Sequence, residues 1–280
     1  MDSNLEQKSI QYRRVILTMI RDANGGHTGG SLSCVDILNV LYNRVLRVSP
    51  ETAGDPDRDR YIHSKGHAVE ALYAVLADRG FFPVEDLKTF SRYNSPYVGH
   101  PTRKVKGIEH NTGALGHGLA FGIGVALAGK RDGRAYRVYV LLGDGELAEG
   151  SNWEACMAAS HYGLDNLVMI VDRNGLQISG ETEKVNRLEP LADKFRAFGF
   201  AVRAVDGHKL ADLQEIFSSV PFEAGRPNAV LAATVKGKGI SFIENRAEWH
   251  HHVPGSAEYA AAMAELDALE GKEDKRNDQQ

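Results

Sequence analysis

Two polar residues that directly follow apolar segments constrain this chain most. Asp144, flanked by glycines, follows the segment 137–142, and Asn174 follows the segment 167–172. The stretch between them has the length of one helix and opens with a capping-box pattern at 151–154. Such a strand–helix–strand unit predicts two parallel neighbouring strands joined by a right-handed crossover. Their carboxyl ends then lie side by side, where open α/β sheets bind ligands, and the carboxylate, amide oxygen and glycine backbone suit a magnesium-bound diphosphate.

The rest of the chain alternates between helix-like and strand-like segments. The loop 27–31 leads into a helix for which Ser33 and Asp36 are the expected capping pair. Other helices are predicted at 4–24, 66–80, 113–130, 152–163, 190–198, 210–220 and 256–270. Further strands are predicted at 201–205 and 229–234, and irregular segments at 48–62, 91–110 and 236–254. The alternation predicts an α/β fold with a parallel sheet covered by helices on both faces.

Composition places the chain among ordinary globular proteins. Hydrophobic residues make up 42% of the 280 residues and charged residues 25%. No repeat or linker divides the sequence, so we expect one domain over 1–280, with a flexible tail at 271–280.

Several classes of protein are disfavoured. A net charge of -4 without a basic run argues against nucleic-acid binding. No apolar run approaches the roughly 18 residues of a membrane span, and the N-terminus does not read as a signal peptide. Cys34 and Cys156 lack metal or redox spacing and are expected to be buried thiols in a reducing compartment. We therefore expect a cytoplasmic protein.

Histidines recur in glycine-rich turns along the chain. They are His27, His67, His100, His117 and the run 250–252. Any one of them is more often a surface or core histidine than a catalytic one. As a set in connections of a parallel sheet, they can converge on one crevice. Such a set suits a reaction that moves protons between hydroxyls and carbonyls near neutral pH.

Seven ordered motifs resemble the N-terminal, thiamine-diphosphate-binding domain of transketolase. They span about residues 9–254 and occur in the order of the family. The motifs lie at 25–31, 63–68, 99–101, 112–118, 143–150, 172–178 and 234–240. The resemblance implies the thiamine-diphosphate-binding fold and a transketolase activity, in which a two-carbon ketol unit passes from a ketose (phosphate) donor to an aldose (phosphate) acceptor.

The resemblance also implies roles for individual residues. Asp144 and Asn174 match the side-chain ligands of magnesium. Leu176 matches the position whose backbone carbonyl is the remaining protein ligand of that ion. Four histidines match catalytic positions, His67 and His250 near the diphosphate and substrate, and His27 and His100 at the donor's oxygens. Other matches are Gly145 at the diphosphate, Gly113, Leu115 and Gly116 beside the cofactor rings, Ile178 as an apolar contact, and Glu149 as a buried carboxylate near the dimer interface. With three consecutive histidines, the register of His250 stays open.

Two residues depart from the family's pattern. His117 stands where the family commonly has glutamine, and we favour a helix-capping role over contact with the cofactor or an interface. Thr28 stands where full-length members usually have proline, although some short relatives carry threonine.

The resemblance covers only the first of three transketolase domains. The glutamate that activates the cofactor lies in the second domain, so a split enzyme is expected: a C-terminal transketolase subunit supplies the pyrimidine side in an α2β2 heterotetramer. The small residues of 113–130 suit that interface or, equally, packing inside the domain. Alternatives are another split thiamine-diphosphate enzyme, of deoxyxylulose-phosphate-synthase or 2-oxo-acid-dehydrogenase type, and a non-catalytic cofactor-binding subunit. The individual sugars stay open.

Overall fold

The computed structural model describes residues 5–277, and a five-stranded parallel sheet lies at their centre. The strands are β1 (Arg60–His63), β2 (Val138–Gly143), β3 (Leu167–Arg173), β4 (Leu176–Gln177), β5 (Gly180–Glu181), β6 (Ala201–Asp206) and β7 (Asn228–Ala233). The sheet has the order β1-β2-β3-β7-β6, and β4 and β5 form a separate antiparallel pair. As predicted, β2 and β3 are parallel neighbours, with Gly143 opposite Asp172.

Helices cover both faces of this sheet, which confirms the predicted fold class. The α-helices are α1 (Leu5–Ala23), α2 (Thr28–Val40), α3 (Val69–Asp78), α4 (His117–Arg131), α5 (Gly150–His161), α6 (Thr182–Val185), α7 (Leu191–Ala197), α8 (Leu210–Ser218) and α9 (Ser256–Asn277). A π-helical turn follows α2 at Leu41–Val45, and 3-10 turns lie at Gly66–Ala68, Val84–Thr89, Gly145–Ala148 and Ala247–His250. Within residues 5–277, no helix is long and apolar enough to cross a membrane.

Alternating side chains of the central strands belong to two cores. In β2, Tyr139 and Leu141 pack with α1, α2, α3, α8 and α9, whereas Val140 and Leu142 pack with α4, α5 and α7. This follows from the two-residue period of a strand. Every residue of β2 is buried, as expected for a central parallel strand with helices on both sides. The fold thereby holds the carboxyl ends of β2 and β3 rigidly beside each other.

The two cysteines are buried free thiols, as predicted. Cys34 lies in the core on one side of the sheet and Cys156 in the core on the other. Burial raises the pKa of both thiols to about 12, so neither is a thiolate near neutral pH. They therefore act as small hydrophobic side chains.

Three predicted boundaries were wrong. The loop expected at 48–62 includes β1, because only Tyr61 and Ile62 are apolar and pairing with β2 determines the strand. The helix expected from 113 begins at His117, since the preceding glycines adopt φ values of 144° and 87° that interrupt a helix. The final helix continues beyond 270 to Asn277, through a stretch that has no proline. Residues 278–280 of the expected tail lie outside the described residues.

Two predicted capping arrangements, at 33–36 and 151–154, were also wrong. Helix α2 begins at Thr28, and Ser33 lies within it, where its hydroxyl donates to the carboxylate of Asp172 at 2.6 Å. Helix α5 begins at Gly150, and the hydroxyl of Ser151 donates to the carbonyl of Gly116 at 2.8 Å. In both helices, tertiary contacts available only in the folded chain take the side chains that local capping would use.

The small residues of α4 are divided between two surfaces. Gly118, Gly122 and Ala126 are buried, and an added Cβ on Gly122 would lie 2.5 Å from Val140. Gly124 is exposed, and nothing lies within 4 Å of its Cβ position. Packing inside the domain thus explains the buried subset, while the exposed subset remains available for an interface.

Candidate active site

A cavity of ≈ 230 Å³ lies at the carboxyl ends of β2 and β3. This is the edge at which parallel sheets bind ligands. Its lining includes most of the predicted site residues: His27, His67, Gly113, Leu115, Asp144, Gly145, Asn174, Leu176, Ile178 and His250. The structure therefore brings together residues from segments that are far apart in the sequence.

Asp144 and Asn174 meet at one turn beside this cavity. Asp144 accepts hydrogen bonds from the backbone of Gly145 at 2.8 Å and of Gly175 at 2.6 Å. The guanidinium of Arg173 lies 3.1 Å from the same carboxylate. The amide oxygen of Asn174 accepts from the backbone nitrogen of Leu176 at 3.0 Å. The turn thus holds a carboxylate and an amide oxygen at the cavity wall, and these hard oxygens are the ligands that Mg²⁺ prefers.

Burial raises the pKa of Asp144, and the nearby carboxylate of Asp172 raises it further. The hydrogen bonds from Gly175 and Arg173 lower the pKa but do not cancel that rise. A divalent cation at this carboxylate would favour its ionised form. The electrostatics of the turn therefore suit a bound metal ion.

Because Gly145 has no side chain, its backbone lies directly at the wall of the cavity. An added Cβ would lie 2.8 Å from the Cβ of Gln177, which also lines the cavity. Ile178 lines the same cavity while its side chain is 60% exposed, so an apolar ring could cover it. These two features fit a ligand with a diphosphate and an apolar ring.

Histidines from different segments surround His27. Its ring centroid lies 5.4 Å from that of His67, 5.5 Å from His250, 6.0 Å from His100 and 4.4 Å from His251. Burial lowers the pKa of His27 to about 4 and that of His250 to about 3, with neighbouring positive groups adding to the effect. These two imidazoles are therefore neutral at pH 7 and can donate or accept hydrogen bonds.

The three consecutive histidines differ in their surroundings. His250 lines the cavity, whereas the exposed His251 contacts the edge of His27. His252 turns away and lies 2.9 Å from Glu258. Thr28 connects this segment to α2, since its hydroxyl donates to the carbonyl of His252 at 2.7 Å. Thr28, which stands where proline was the expected residue, thus supplies a hydrogen bond.

Some predicted site residues lie outside the cavity lining. His100 is exposed and lies beside Gly113, whose added Cβ would be 2.9 Å from the His100 ring. Gly116 donates its backbone N–H to Glu146 at 2.9 Å rather than facing the cavity. His117 is the exposed first residue of α4, and the cap position belongs to Gly116, so the expected capping role was wrong.

Glu149 is exposed on this chain, so the expectation of a buried carboxylate does not hold within it. It lies at the cap of α5 in an extended conformation. The buried glutamate of this motif is instead Glu146, which is 2% exposed and accepts hydrogen bonds from Ser64 and Gly143. Burial raises the pKa of Glu146.

Two lysines of the site were not interpreted from the sequence. Lys65 is buried against Asp172, and it also donates to the carbonyl of Gly30 at 2.9 Å. Lys236 is 2% exposed and donates to Nδ1 of His250 at 2.8 Å. Burial lowers the pKa of Lys236 to about 8. Each lysine precedes a glycine within one of the seven motifs, and this position is the sequence feature that could have identified it as a site residue.

Glu70 was also missed. Its buried carboxyl accepts hydrogen bonds from the backbone nitrogen of His27 at 3.1 Å and from the hydroxyl of Ser31 at 2.8 Å. Burial raises the pKa of Glu70 to about 7. The group therefore fixes the chain at His27, and its own charge changes near neutral pH.

Comparison with known proteins agrees with this geometry. Residues 5–272 match the family described as "Transketolase, thiamine diphosphate binding domain". An apulose-4-phosphate transketolase subunit of Phocaeicola vulgatus is 45% identical over 98% of this chain and 97% of its own. The protein of the same name from Actinobacillus succinogenes is 46% identical, over 94% and 95%. The 6-deoxy-6-sulfo-D-fructose transketolase subunit SqwG of a Clostridium species is 40% identical, over 94% and 96%.

Solved structures show the same fold. Transketolase from Leishmania mexicana superposes with a TM-score of 0.88 at 29% identity. The match covers 95% of this chain and 41% of that one, so the chain spans about two fifths of the length of that transketolase.

Proposed function

This chain belongs to the transketolase family, and on that basis we propose that it is the cofactor-binding subunit of a two-chain transketolase. The observation that carries the proposal is the near-complete match to proteins that are each named as one subunit of a transketolase, over 94–98% of this chain and 95–97% of theirs. In this proposal residues 1–280 form a single diphosphate-binding domain. A C-terminal transketolase subunit supplies the pyrimidine side, and two copies of each chain form a cytoplasmic α2β2 heterotetramer.

The residues present fit thiamine diphosphate and Mg²⁺. Asp144 and Asn174 place hard oxygens at the end of the sheet, and the Leu176 carbonyl is the proposed third protein ligand. The Gly145 backbone contacts the diphosphate in this proposal, and the buried ammonium of Lys236 supplies a positive charge beside the cavity. Gly113, Leu115 and Ile178, which line the cavity, flank the cofactor rings in this proposal.

The histidines handle the protons of the sugar. Bound thiamine diphosphate supplies the nucleophilic carbon that carries the two-carbon unit. The neutral imidazoles of His27 and His250 can donate hydrogen bonds to a carbonyl oxygen that gains charge, and that of His27 can also accept a proton from a hydroxyl. His27 Nδ1 is buried and has no hydrogen-bond partner among residues 5–277, so the described chain leaves its hydrogen-bonding capacity unused. In this proposal His67 acts at the diphosphate end, and His100 holds the donor's oxygens.

The reaction is transfer of a two-carbon ketol unit from a ketose (phosphate) donor to an aldose (phosphate) acceptor. We propose apulose 4-phosphate as the first donor to test, because the two relatives with that name are 45% and 46% identical to this chain. The relative named for 6-deoxy-6-sulfo-D-fructose is 40% identical, which makes that sugar the second donor. Glu149 lies exposed, where a second chain can cover it.

The test is a ketol-transfer assay with thiamine diphosphate and Mg²⁺. The chain is assayed alone, then with its separately encoded C-terminal partner, using apulose 4-phosphate, 6-deoxy-6-sulfo-D-fructose and xylulose 5-phosphate as donors. We expect activity only in the mixture and fastest with apulose 4-phosphate. Activity of the chain alone would contradict the two-chain assignment. A preference for xylulose 5-phosphate would contradict the choice of apulose 4-phosphate as the donor. Cofactor binding without turnover of any donor would favour a non-catalytic role.

A further inference from the structure

Three histidines at the cavity mouth form a cluster of nitrogen ligands. One ring nitrogen from each of His27, His250 and His251 lies within 4.8 Å of the others. The ring centroids are 4.4 Å apart for His27 and His251, and 4.6 Å for His250 and His251. The cluster combines the residue that precedes α2 with two consecutive residues near the end of the domain.

The cluster also contains an unpaired polar atom. His27 Nδ1 is buried and has no hydrogen-bond partner within the described chain. An unpaired buried polar group is costly, so its presence calls for an explanation. A neutral imidazole retains a nitrogen lone pair. Neutral imidazole is the form that binds metals.

We propose that His27, His250 and His251 form a binding site for a divalent first-row transition ion such as Zn²⁺. Imidazole nitrogens suit Zn²⁺, Ni²⁺ and Cu²⁺, whereas Mg²⁺ prefers oxygen ligands. The ion at this site is therefore chemically different from the Mg²⁺ proposed at Asp144. Three protein ligands leave one position of a tetrahedral ion open to water.

The site requires a modest rearrangement of one side chain. Zinc–nitrogen bonds of about 2.0–2.1 Å place the nitrogens of a tetrahedral site roughly 3.4 Å apart. The three histidine nitrogens lie within 4.8 Å of one another, so they must move closer together to bind the ion. His251 can supply the movement because it is exposed. Lys236 opposes binding, since its ammonium lies 2.8 Å from Nδ1 of His250.

An ion at this site would block the donor sugar. This consequence rests on the proposed function, because it assumes that His27 and His250 contact the donor. Binding itself does not rest on that function and can be measured on the chain without its partner. A failed activity assay and a failed metal titration therefore have different meanings.

The experiment titrates the full-length, tag-free, metal-free chain with Co²⁺ and follows the visible absorption of the bound ion. Zn²⁺ is then added to displace the Co²⁺. His251→Ala removes one proposed ligand, and His252→Ala is the matched control, because His252 is directed toward Glu258. We expect one ion per chain and an affinity at least about tenfold weaker in His251→Ala, since even outer-shell changes cost about that much. His252→Ala should bind like the wild type.

Three results would overturn the proposal. They are a wild-type chain that gives no Co²⁺ spectrum, a His251→Ala variant with unchanged affinity, and equal losses in the two variants. Circular dichroism of each variant establishes that any loss of binding occurs in a folded chain.

Discussion

The ammonium of Lys65 and the carboxylate of Asp172 form an ion pair beneath the cavity, with side chains that are 1% and 0% exposed. Asp172 also accepts hydrogen bonds from the hydroxyls of Ser33 and Thr234. Lys65 lies in the turn after β1, and Asp172 lies near the end of β3, two residues before Asn174. It therefore holds the sheet edge on which the proposed metal ligands lie.

Removing one partner of this pair should destabilise the fold strongly. Lys65→Met or Asp172→Asn leaves a buried charge without compensation, at an expected cost of about 3–5 kcal/mol. The double variant should lose less than the sum, because it contains no unpaired charge. Urea unfolding of the four proteins measures this coupling. Additive losses would mean that the two groups do not depend on each other.

Asp144→Ala should reduce Mg²⁺-dependent binding of thiamine diphosphate by more than about tenfold. The variant lacks the carboxylate proposed to bind the metal. Calorimetric titration of the assembled complex measures the affinity. Asp132→Ala, at the exposed end of α4, is the control and should bind normally. Undiminished binding by Asp144→Ala would reject the metal assignment.

His100→Ala should lower turnover more than cofactor affinity. His100 is exposed beside the cavity rather than in its lining, a position that suits contact with the sugar more than with the diphosphate. We expect kcat/KM for the donor to fall about 10²-fold or more, as is typical when a proton-handling group is lost. The test compares steady-state kinetics with cofactor titration. Equal losses in the two would argue against a donor contact.

Glu70→Gln should change how stability depends on pH. The buried Glu70 has a pKa of about 7, against an ordinary value of 4.5 for a glutamate in the unfolded chain. Between these values the folded state binds more protons, so stability contributed by this group falls as pH rises from about 5 to 7. The loss is on the order of 3 kcal/mol at pH 8.

The Glu70→Gln variant cannot ionise at this position and should therefore gain stability relative to wild type between pH 5 and pH 8. Urea unfolding at both pH values provides the measurement. Glu154→Gln, on the exposed face of α5, should show no such gain. An effect of Glu70→Gln that has the same size at both pH values would show that ionisation of Glu70 is not the cause.

Two glycines of α4 should respond oppositely to alanine. Gly122→Ala introduces a Cβ 2.5 Å from the Val140 side chain and should cost about 1–3 kcal/mol. Gly124→Ala meets nothing within 4 Å and should stabilise the isolated chain by up to about 1 kcal/mol. Thermal unfolding of the isolated chain distinguishes the two variants. A stabilising Gly122→Ala would show that the helix can move away from the sheet.

The sheet edge could be predicted from sequence because its determinants are local. The apolar segments before Asp144 and Asn174 are continuous, and a single crossover helix requires them to be parallel neighbours. That topology alone places the two side chains together. The convergence of the histidines was expected for a related reason, since several of them follow strands or precede helices of the same sheet.

Other features depend on partners that are distant in the sequence. Lys65 and Glu70 have the sequence appearance of surface charges on a helix, and only folding places them against Asp172 and His27. The strand β1 was missed for the same reason, because its few apolar residues become a strand by pairing with β2. The exposure of Glu149 depends on a turn geometry that its motif does not encode.

The hydrogen bond between Thr28 and His252 joins residues 224 positions apart. A ribosome must therefore synthesise nearly the whole domain before the cavity mouth can close, and every earlier nascent chain lacks it. Contacts of such long range form late and slowly in folding. A ligand of this cavity can select only the finished fold, and at a hundred times its Kd it would stabilise that fold by about 2.7 kcal/mol. Such a ligand would thus lower the fraction of newly made chain that is unfolded and open to proteolysis.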